Sequence, residues 1–160
     1  MKIVITDTGT WPYRLQKEDK VITDTGLIQP CRMCDACWVK TPGMCVIPDP
    51  LQYFGAELSR CEEVVLVSRV EYSALSPFVS SVIERMKPYV YPCLTGGENS
   101  SFRSRYASHF TISAFLYSED QDETEKKELR ELIYGICHQL SAAPGEIVFM
   151  HDALSLGGRL

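Results

Sequence analysis

Apolar and polar positions alternate along the chain in short blocks that predict strands and helices in turn. Apolar runs over residues 3–5, 21–22 and 63–68 predict strands, and the third is apolar enough to be covered on both faces of a sheet. Residues 110–116 and 147–150 add two more strands. Strands that alternate with helices predict a mainly parallel sheet, whose ligands bind at the carboxyl ends of the strands.

Three stretches have the spacing of apolar residues that is typical of helices. Asp49-Pro50 suits a helix start and precedes apolar positions 51, 54 and 58. Ser76-Pro77 precedes a second apolar stripe. The clearest helix covers residues 122–141, with acidic first turns and an i, i+3, i+4, i+7 stripe. The segment 88–106 is rich in Pro, Gly, Ser and Asn and predicts a long surface loop.

Length and composition predict one domain over residues 1–150, followed by a C-terminal tail over 151–160. The chain has 160 residues, of which 45% are hydrophobic and 23% are charged, which is ordinary for a globular protein. A net charge of −5 without a basic cluster argues against nucleic acid as a partner. The apolar runs are too short to cross a membrane, and the N-terminus lacks the apolar core of a signal peptide. These features predict a cytoplasmic protein with reduced thiols.

The hexapeptide VITDTG occurs at residues 4–9 and again at 21–26. The first copy places Thr8, Gly9 and Thr10 after a strand, where a turn of this kind can bind a phosphate. Asp7 would repel that phosphate, and residues 10–20 leave room for only a short crossover. The alternative is structural, with Thr and Asp side chains capping their own turns.

Four closely spaced cysteines form the most specific motif: Cys31, Cys34, Cys37 and Cys45. The first three are spaced C-x2-C-x2-C, and the turn signal Thr41-Pro42-Gly43 brings the fourth back towards them. Four thiolates suit a [4Fe–4S] cluster or a tetrahedral zinc ion, and the close triple spacing favours the cluster. The alternative is that these thiols bind no metal and pack as small apolar side chains. The remaining cysteines are predicted to be structural: Cys61, Cys93 and Cys137.

Three segments resemble the flavodoxin-like NAD(P)H-dependent FMN reductase family, particularly its iron–sulfur flavoprotein branch. They are PCRMCDACWVKTPGMCVIPD, VSRVEYSALSPFVSSVIER and GGENSSFRSRY. The resemblance covers roughly residues 21 to 150, and the cysteine segment is its most specific part. It implies an α/β three-layer sandwich around a five-stranded parallel sheet of order 2-1-3-4-5, here with a shortened first crossover.

The resemblance also implies a set of site residues and cofactors. In relatives the loop after the third strand contacts the flavin ring, and here that loop is Arg69, Val70, Glu71, Tyr72 and Ser73. Tyr72 would stack on FMN, and Arg69 would stabilise the reduced flavin. The alternatives are a half-buried loop aromatic at Tyr72 and an exposed ion pair between Arg69 and Glu71. NAD(P)H would be the co-substrate, and self-association in relatives implies a homodimer.

These features predict a flavodoxin-like redox protein, either an FMN-dependent NAD(P)H oxidoreductase or an electron carrier that also holds a [4Fe–4S] cluster. Its partner would be a small redox cofactor or a protein that exchanges electrons with it. The chain departs from the family where a phosphate motif of Gly-Ser-Pro-Arg type is missing, and Arg69 and Ser80 replace the usual Pro and Lys. Two alternatives therefore stay open: a cofactor-free flavodoxin-like domain that acts as a binding or assembly module, and a zinc-stabilised domain.

Overall fold

The computed structural model describes residues 1–9, 15–92 and 102–153. The strands are β1 (Lys2–Thr6), β2 (Lys20–Ile22), β3 (Glu63–Glu71), β4 (Ala74–Leu75), β5 (Thr111–Tyr117) and β6 (Ala143–Met150). The helices are α1 (Ala36–Val39), α2 (Phe54–Leu58), α3 (Pro77–Glu84) and α4 (Glu123–Leu140), with a 3₁₀ turn at Lys87–Tyr89. Thr10, Cys93 and most of the predicted tail lie outside the described residues, as does the start of the GGENSSFRSRY segment.

The strands form one sheet in the order β2-β1-β3-β5-β6, and all neighbours in this path pair in parallel. The two-residue β4 lies off the path and pairs antiparallel with β3. When β4 is set aside, the five parallel strands follow the order 2-1-3-4-5. The predicted α/β architecture, a parallel sheet flanked by helices as in flavodoxin-like folds, is confirmed. The first crossover contains no helix within residues 7–9 and 15–19.

Right-handed crossovers explain where the helices lie. The connections from β2 to β3, from β3 to β5 and from β5 to β6 all move across the sheet in one direction, so α2, α3 and α4 cover the same face. Their apolar side chains join those of Ile3, Leu66 and Ile112 in the larger core cluster. A smaller cluster contains Val4 and Phe115 and includes no residue from the described helices.

Local sequence signals account for most element boundaries. Ser76 caps α3 by accepting a hydrogen bond from the Val79 N–H, with Pro77 in the first turn, and Asp122 caps α4 through the Glu125 N–H. The sequence pattern places Gly145 before the last strand, but this residue lies inside β6. A Cβ there would collide with the side chains of Ser113 and Thr111, so β6 needs glycine for its close approach to β5.

Candidate functional site

The cysteine segment begins after β2 and folds back through two residues with left-handed backbone. Met33 has φ 51° and Asp35 has φ 52°, a conformation that is costly for residues other than glycine. These reversals wind the C-x2-C-x2-C sequence into a compact loop, in which the Met33 N–H donates to the Cys31 Sγ at 3.5 Å. Strained backbone of this kind concentrates at functional sites.

A tight turn brings Cys45 back, as the sequence predicts. Gly43 has φ +85°, and its N–H donates to the Cys37 carbonyl at 3.0 Å. The Thr41 hydroxyl donates to the Met44 carbonyl at 2.8 Å and closes the turn. Cys45 is then fixed through its own N–H, which donates to the Gln52 carbonyl at 2.9 Å.

The other three thiols of the motif lie within electrostatic reach of Cys37. Cys37 and Cys45 are buried, Cys31 is half-buried and Cys34 is exposed. Burial, followed by the charges of Cys45, Cys31 and Cys34 in that order, raises the pKa of the Cys37 thiol to about 11. Within the described residues, no three His, Cys, Asp or Glu side chains form a group that could hold a metal ion.

A buried arginine closes the base of this segment. Arg85 caps the end of α3 with its side chain buried, and its guanidinium donates to the two carboxylate oxygens of Asp49, at 2.7 Å each. It also donates to the Gln29 carbonyl at 2.6 Å. Because Gln29 precedes the first cysteine and Asp49 follows the last, Arg85 holds both ends of the segment together.

The charges in this pair reinforce each other. Burial alone would raise the pKa of Asp49, but the hydrogen bonds from Arg85 and from the Gln29 and Leu51 N–H groups outweigh it and lower that pKa. Burial likewise works against the charged Arg85, whose pKa is nonetheless raised by hydrogen bonds and electrostatic attraction to Asp49 and to Cys45. Cys45 therefore lies within electrostatic reach of the guanidinium.

The guanidinium of Arg85 also interacts with the Cys45 side chain. The Arg85 Nε–H is buried and makes no hydrogen bond of good geometry within the described part of the chain. The Cys45 sulfur nevertheless lies close enough to the guanidinium to accept a hydrogen bond and to raise the pKa of Arg85. Because a buried N–H without an acceptor is costly, Cys45 is the group that the chain offers to this arginine. The set of four thiols has the donor chemistry of a [4Fe–4S] cluster.

Trp38 anchors the segment to the body of the protein. Its indole N–H lies 3.1 Å from the Lys87 carbonyl and 3.0 Å from the Val90 carbonyl. The Lys87 ammonium lies 5.5 Å from the centre of the indole ring. The cysteine segment is therefore packed against the 3₁₀ turn that follows α3.

A separate cleft of about 520 Å³ lies at the carboxyl ends of the strands, where a parallel sheet binds ligands. It is lined by Asp7, Asp24, Arg69, Glu71, Ser76, Pro77, Phe78 and Tyr117. The cleft therefore sits at the start of α3, whereas Arg85 lies just past its end. An eight-residue helix rises about 12 Å, so the cysteine segment and the cleft are separate sites.

The acidic groups of the cleft are engaged by neighbouring residues. Asp7 accepts hydrogen bonds from the Arg69 N–H and the Tyr117 hydroxyl, both at 2.8 Å. Burial, then the bond to Asp7, raises the pKa of Tyr117 well above its ordinary value. The Arg69 guanidinium binds Glu71 at 2.9 Å in an ion pair that is largely exposed on the arginine side. This pair matches the alternative given for these two residues.

The described lining does not fit FMN. Three carboxylates, on Asp7, Asp24 and Glu71, face one guanidinium that is already paired, so the phosphate would be repelled. Thr8 donates its N–H to the Thr6 hydroxyl at 3.1 Å, and Gly26 donates to Asp24 at 3.0 Å, so both TDTG turns are closed by their own side chains. Thr10 lies outside the described residues.

The predicted flavin-contact loop is a tight hairpin. β3 continues through Val70 to Glu71, and Tyr72 and Ser73 form a two-residue turn to β4 with φ 52° and 57°. The predicted end of this strand at residue 68 is therefore wrong by three residues. Tyr72 is fully exposed, and the Ser73 N–H lies 3.2 Å from a Glu125 carboxylate oxygen. Tyr72 is available to a partner but covers no part of the cleft.

The chain matches no protein-family model, and no curated protein is significantly similar to it. Over the described residues, no helix combines the length and apolar character needed to cross a membrane.

Proposed function

We propose that this chain is a flavodoxin-like electron carrier whose redox centre is a [4Fe–4S] cluster held by Cys31, Cys34, Cys37 and Cys45. The observation that carries the proposal is a set of four thiols, three of them within electrostatic reach of Cys37, beside a buried arginine that interacts with Cys45. A cysteine set of this spacing, strained backbone in the loop and an N–H donated to a sulfur are all consistent with cluster binding.

The protein's own residues would perform three tasks. The four cysteines would supply thiolate ligands, and the buried Cys37 and Cys45 would shield one side of the centre from water. The exposed Cys34 marks the side from which a partner would exchange electrons. When bound, a cluster of this type supplies one-electron transfer at a potential set by charge, hydrogen bonds and solvent exposure.

The cellular location and the electron partner are also part of the proposal. Reduced thiols and an oxygen-sensitive centre suit the cytoplasm. A protein electron partner fits an exposed ligand better than a nicotinamide does, since the acidic cleft offers no site for a phosphate in its described lining. FMN, NAD(P)H and a homodimer stay predictions of the family resemblance.

Anaerobic purification followed by reconstitution with iron and sulfide tests the proposal. The wild-type chain should become brown and hold about four irons and four sulfides. Cys34→Ser should lose most of this iron, because it removes one ligand from the exposed side. Cys137→Ala is the matched control, since this cysteine is buried in the core away from the segment and should leave the iron content unchanged.

Two outcomes would overturn the proposal. One is a wild-type chain that binds no iron and sulfide although circular dichroism shows it folded. The other is an equal loss of iron in Cys34→Ser and Cys137→Ala. Zinc that is bound stoichiometrically by the same four cysteines, without iron, would instead support a zinc-stabilised domain.

A second candidate function is favoured by the cleft. The hydrogen bonds of Asp7 to Arg69 and Tyr117 occupy the place where a relative would bind flavin, which supports a binding or assembly module without FMN. Titration with FMN separates the candidates. Quenched flavin fluorescence together with a raised Tm would restore the flavin prediction, and no change in either would support the module.

A further inference from the structure

We infer that Arg85 and Asp49 form an electrostatic clamp that closes the cysteine segment and sets the reduction potential of the centre it holds. Arg85 and Asp49 are positioning residues and are not ligands. The inference rests on the proposed function, because a reduction potential requires a redox centre.

The geometry of the clamp supports the closing role. The Arg85 side chain is 0% exposed and that of Asp49 is 2% exposed, so neither charge is screened by water. Arg85 binds the Gln29 carbonyl and Asp49 binds the Gln29 N–H, so the peptide groups on both sides of Gln29 are held. The same Asp49 accepts from Leu51 at 3.0 Å. The entry and the exit of the segment are thus tied to the end of α3 through one buried ion pair.

The surroundings of the clamp support the electrostatic role. The Cys45 sulfur lies within hydrogen-bonding and electrostatic reach of the Arg85 guanidinium, which is fully buried. Reduction adds one negative charge to a thiolate-bound centre, which a nearby cation stabilises and a nearby anion opposes. Arg85 and Asp49 therefore act in opposite directions on the reduction potential, although they act in the same direction on the closure of the loop.

Because Arg85 and Asp49 have opposite effects on the reduction potential, the direction of the shift in each variant tests the electrostatic role. Arg85→Met leaves the Asp49 carboxylate without its cation and should shift the reduction potential of the reconstituted protein to more negative values. Asp49→Asn leaves the guanidinium without its anion and should shift it to more positive values. Lys20→Met is the matched control, because it removes one cation from a partly exposed pair with Glu57 on another part of the surface and should shift the potential least. Spectroelectrochemical titration under anaerobic conditions measures all four proteins.

The protein without its centre tests the closing role independently. The segment contains trypsin sites at Arg32 and Lys40. Opening of the clamp should expose them, so trypsin should cut the metal-free Arg85→Met and Asp49→Asn chains roughly 10-fold faster or more than wild type, a factor that corresponds to about 1.4 kcal/mol of local stability. Lys20→Met should be cut at the wild-type rate. The loaded variants should also lose metal to a chelator about 10- to 100-fold more readily.

The outcomes separate this inference from the proposed function. A wild-type chain that cannot be loaded refutes the proposed function, whereas the trypsin rates still decide the closing role. A loaded wild-type chain whose two variants shift the potential in the same direction, or not at all, refutes the electrostatic role alone. If Arg85→Met does not fold, the upward shift expected of Asp49→Asn decides the question by itself. Equal trypsin rates in all four chains refute the closing role.

Discussion

Two arginine–carboxylate pairs lie near opposite ends of α3, and their surroundings differ sharply. At the far end, Arg85 and Asp49 are almost fully buried, and the carboxylate accepts four hydrogen bonds, two from Arg85 and two from backbone N–H groups. At the other end, Arg69 pairs with Glu71 while its side chain stays 63% exposed. A buried pair is costly to break, whereas an exposed pair contributes little.

The cysteine segment and the cleft differ in the same way. The segment passes through strained backbone, is tied at both ends by Arg85 and Asp49, and has its Cys45 sulfur beside the buried guanidinium. The cleft lies where a parallel sheet normally binds its ligand, yet its Asp7 is hydrogen-bonded to its neighbours and its lining is acidic. The buried ion pair holds the cysteine segment and not the cleft, and for this reason the proposed redox centre is placed at the cysteines.

The largest effect should come from breaking the buried pair. Arg85→Met leaves the Asp49 carboxylate buried without its cation, which costs about 3–5 kcal/mol of unfolding free energy. Adding Asp49→Asn removes the stranded charge and should recover part of that loss. Urea unfolding of the metal-free protein, followed by circular dichroism, measures both variants.

Arg69→Met provides the contrast at the cleft, and it should leave the urea midpoint unchanged within error because the arginine is exposed. Equal losses of unfolding free energy in Arg85→Met and Arg69→Met would show that burial does not distinguish the two ion pairs.

A smaller effect is expected where α2 meets the 3₁₀ turn that receives Trp38. A Cβ on Gly55 would lie 2.9 Å from the Pro88 carbonyl carbon and 3.0 Å from the Tyr89 nitrogen, and backbone cannot easily move aside. Gly55→Ala should therefore cost about 1–3 kcal/mol through overpacking.

Gly135→Ala is the matched control for this substitution. Gly135 lies on the exposed side of α4, and a methyl group added there would meet no described atom within 4 Å, so alanine should stabilise the helix by about 0.5–1 kcal/mol. Thermal unfolding gives both values. Equal shifts in Tm for the two variants would mean that α2 is not packed tightly against the 3₁₀ turn.

Local sequence patterns predict the helices and strands better than they predict the contacts between these elements. Helix spacing over 122–141 and the turn at Thr41–Gly43 follow from neighbouring residues, and the structure confirms both. The strand order is instead implied by the family resemblance, and it holds for the five parallel strands once the extra strand β4 is set aside. Asp49 illustrates the limit. The sequence favours it as a helix cap, but α2 begins at Phe54. Asp49 closes only a turn with Leu51, and its carboxylate forms an ion pair with Arg85.

Contacts between residues that are far apart in the chain cannot be predicted from local sequence. Arg85 and Asp49 are 36 residues apart, and Asp7 and Tyr117 are 110 apart. Periodicity shows that a side chain is polar, but the packing of whole elements decides which polar groups meet. An Arg at the end of an apolar helical stripe is a usable signal, since a charge there must find a partner if it is buried. The sequence predicts the acidic lining of the cleft only at Asp7.

The smallest expected effect concerns the hydroxyl of Tyr117 in the cleft. Its pKa is raised by burial and by Asp7, so the folded chain holds this proton more tightly than the unfolded chain does. The resulting stability is complete below about pH 10 and is lost as the pH rises beyond that value. Tyr117→Phe has no proton to lose, so its stability should fall less steeply above pH 10, by about 1 kcal/mol or less at pH 11.

Urea unfolding at a series of alkaline pH values measures this difference in slope, and Tyr134→Phe, at an exposed tyrosine on α4, should leave the wild-type slope unchanged. Parallel curves for Tyr117→Phe and wild type would mean that Tyr117 does not donate to Asp7 in solution. Asp7 would then keep only the hydrogen bond from the Arg69 N–H, and the cleft would have to be reconsidered as a site for a cationic ligand. A flatter curve for Tyr117→Phe alone would support the contrast, because it would show that the cleft's acidic group is already satisfied by the protein.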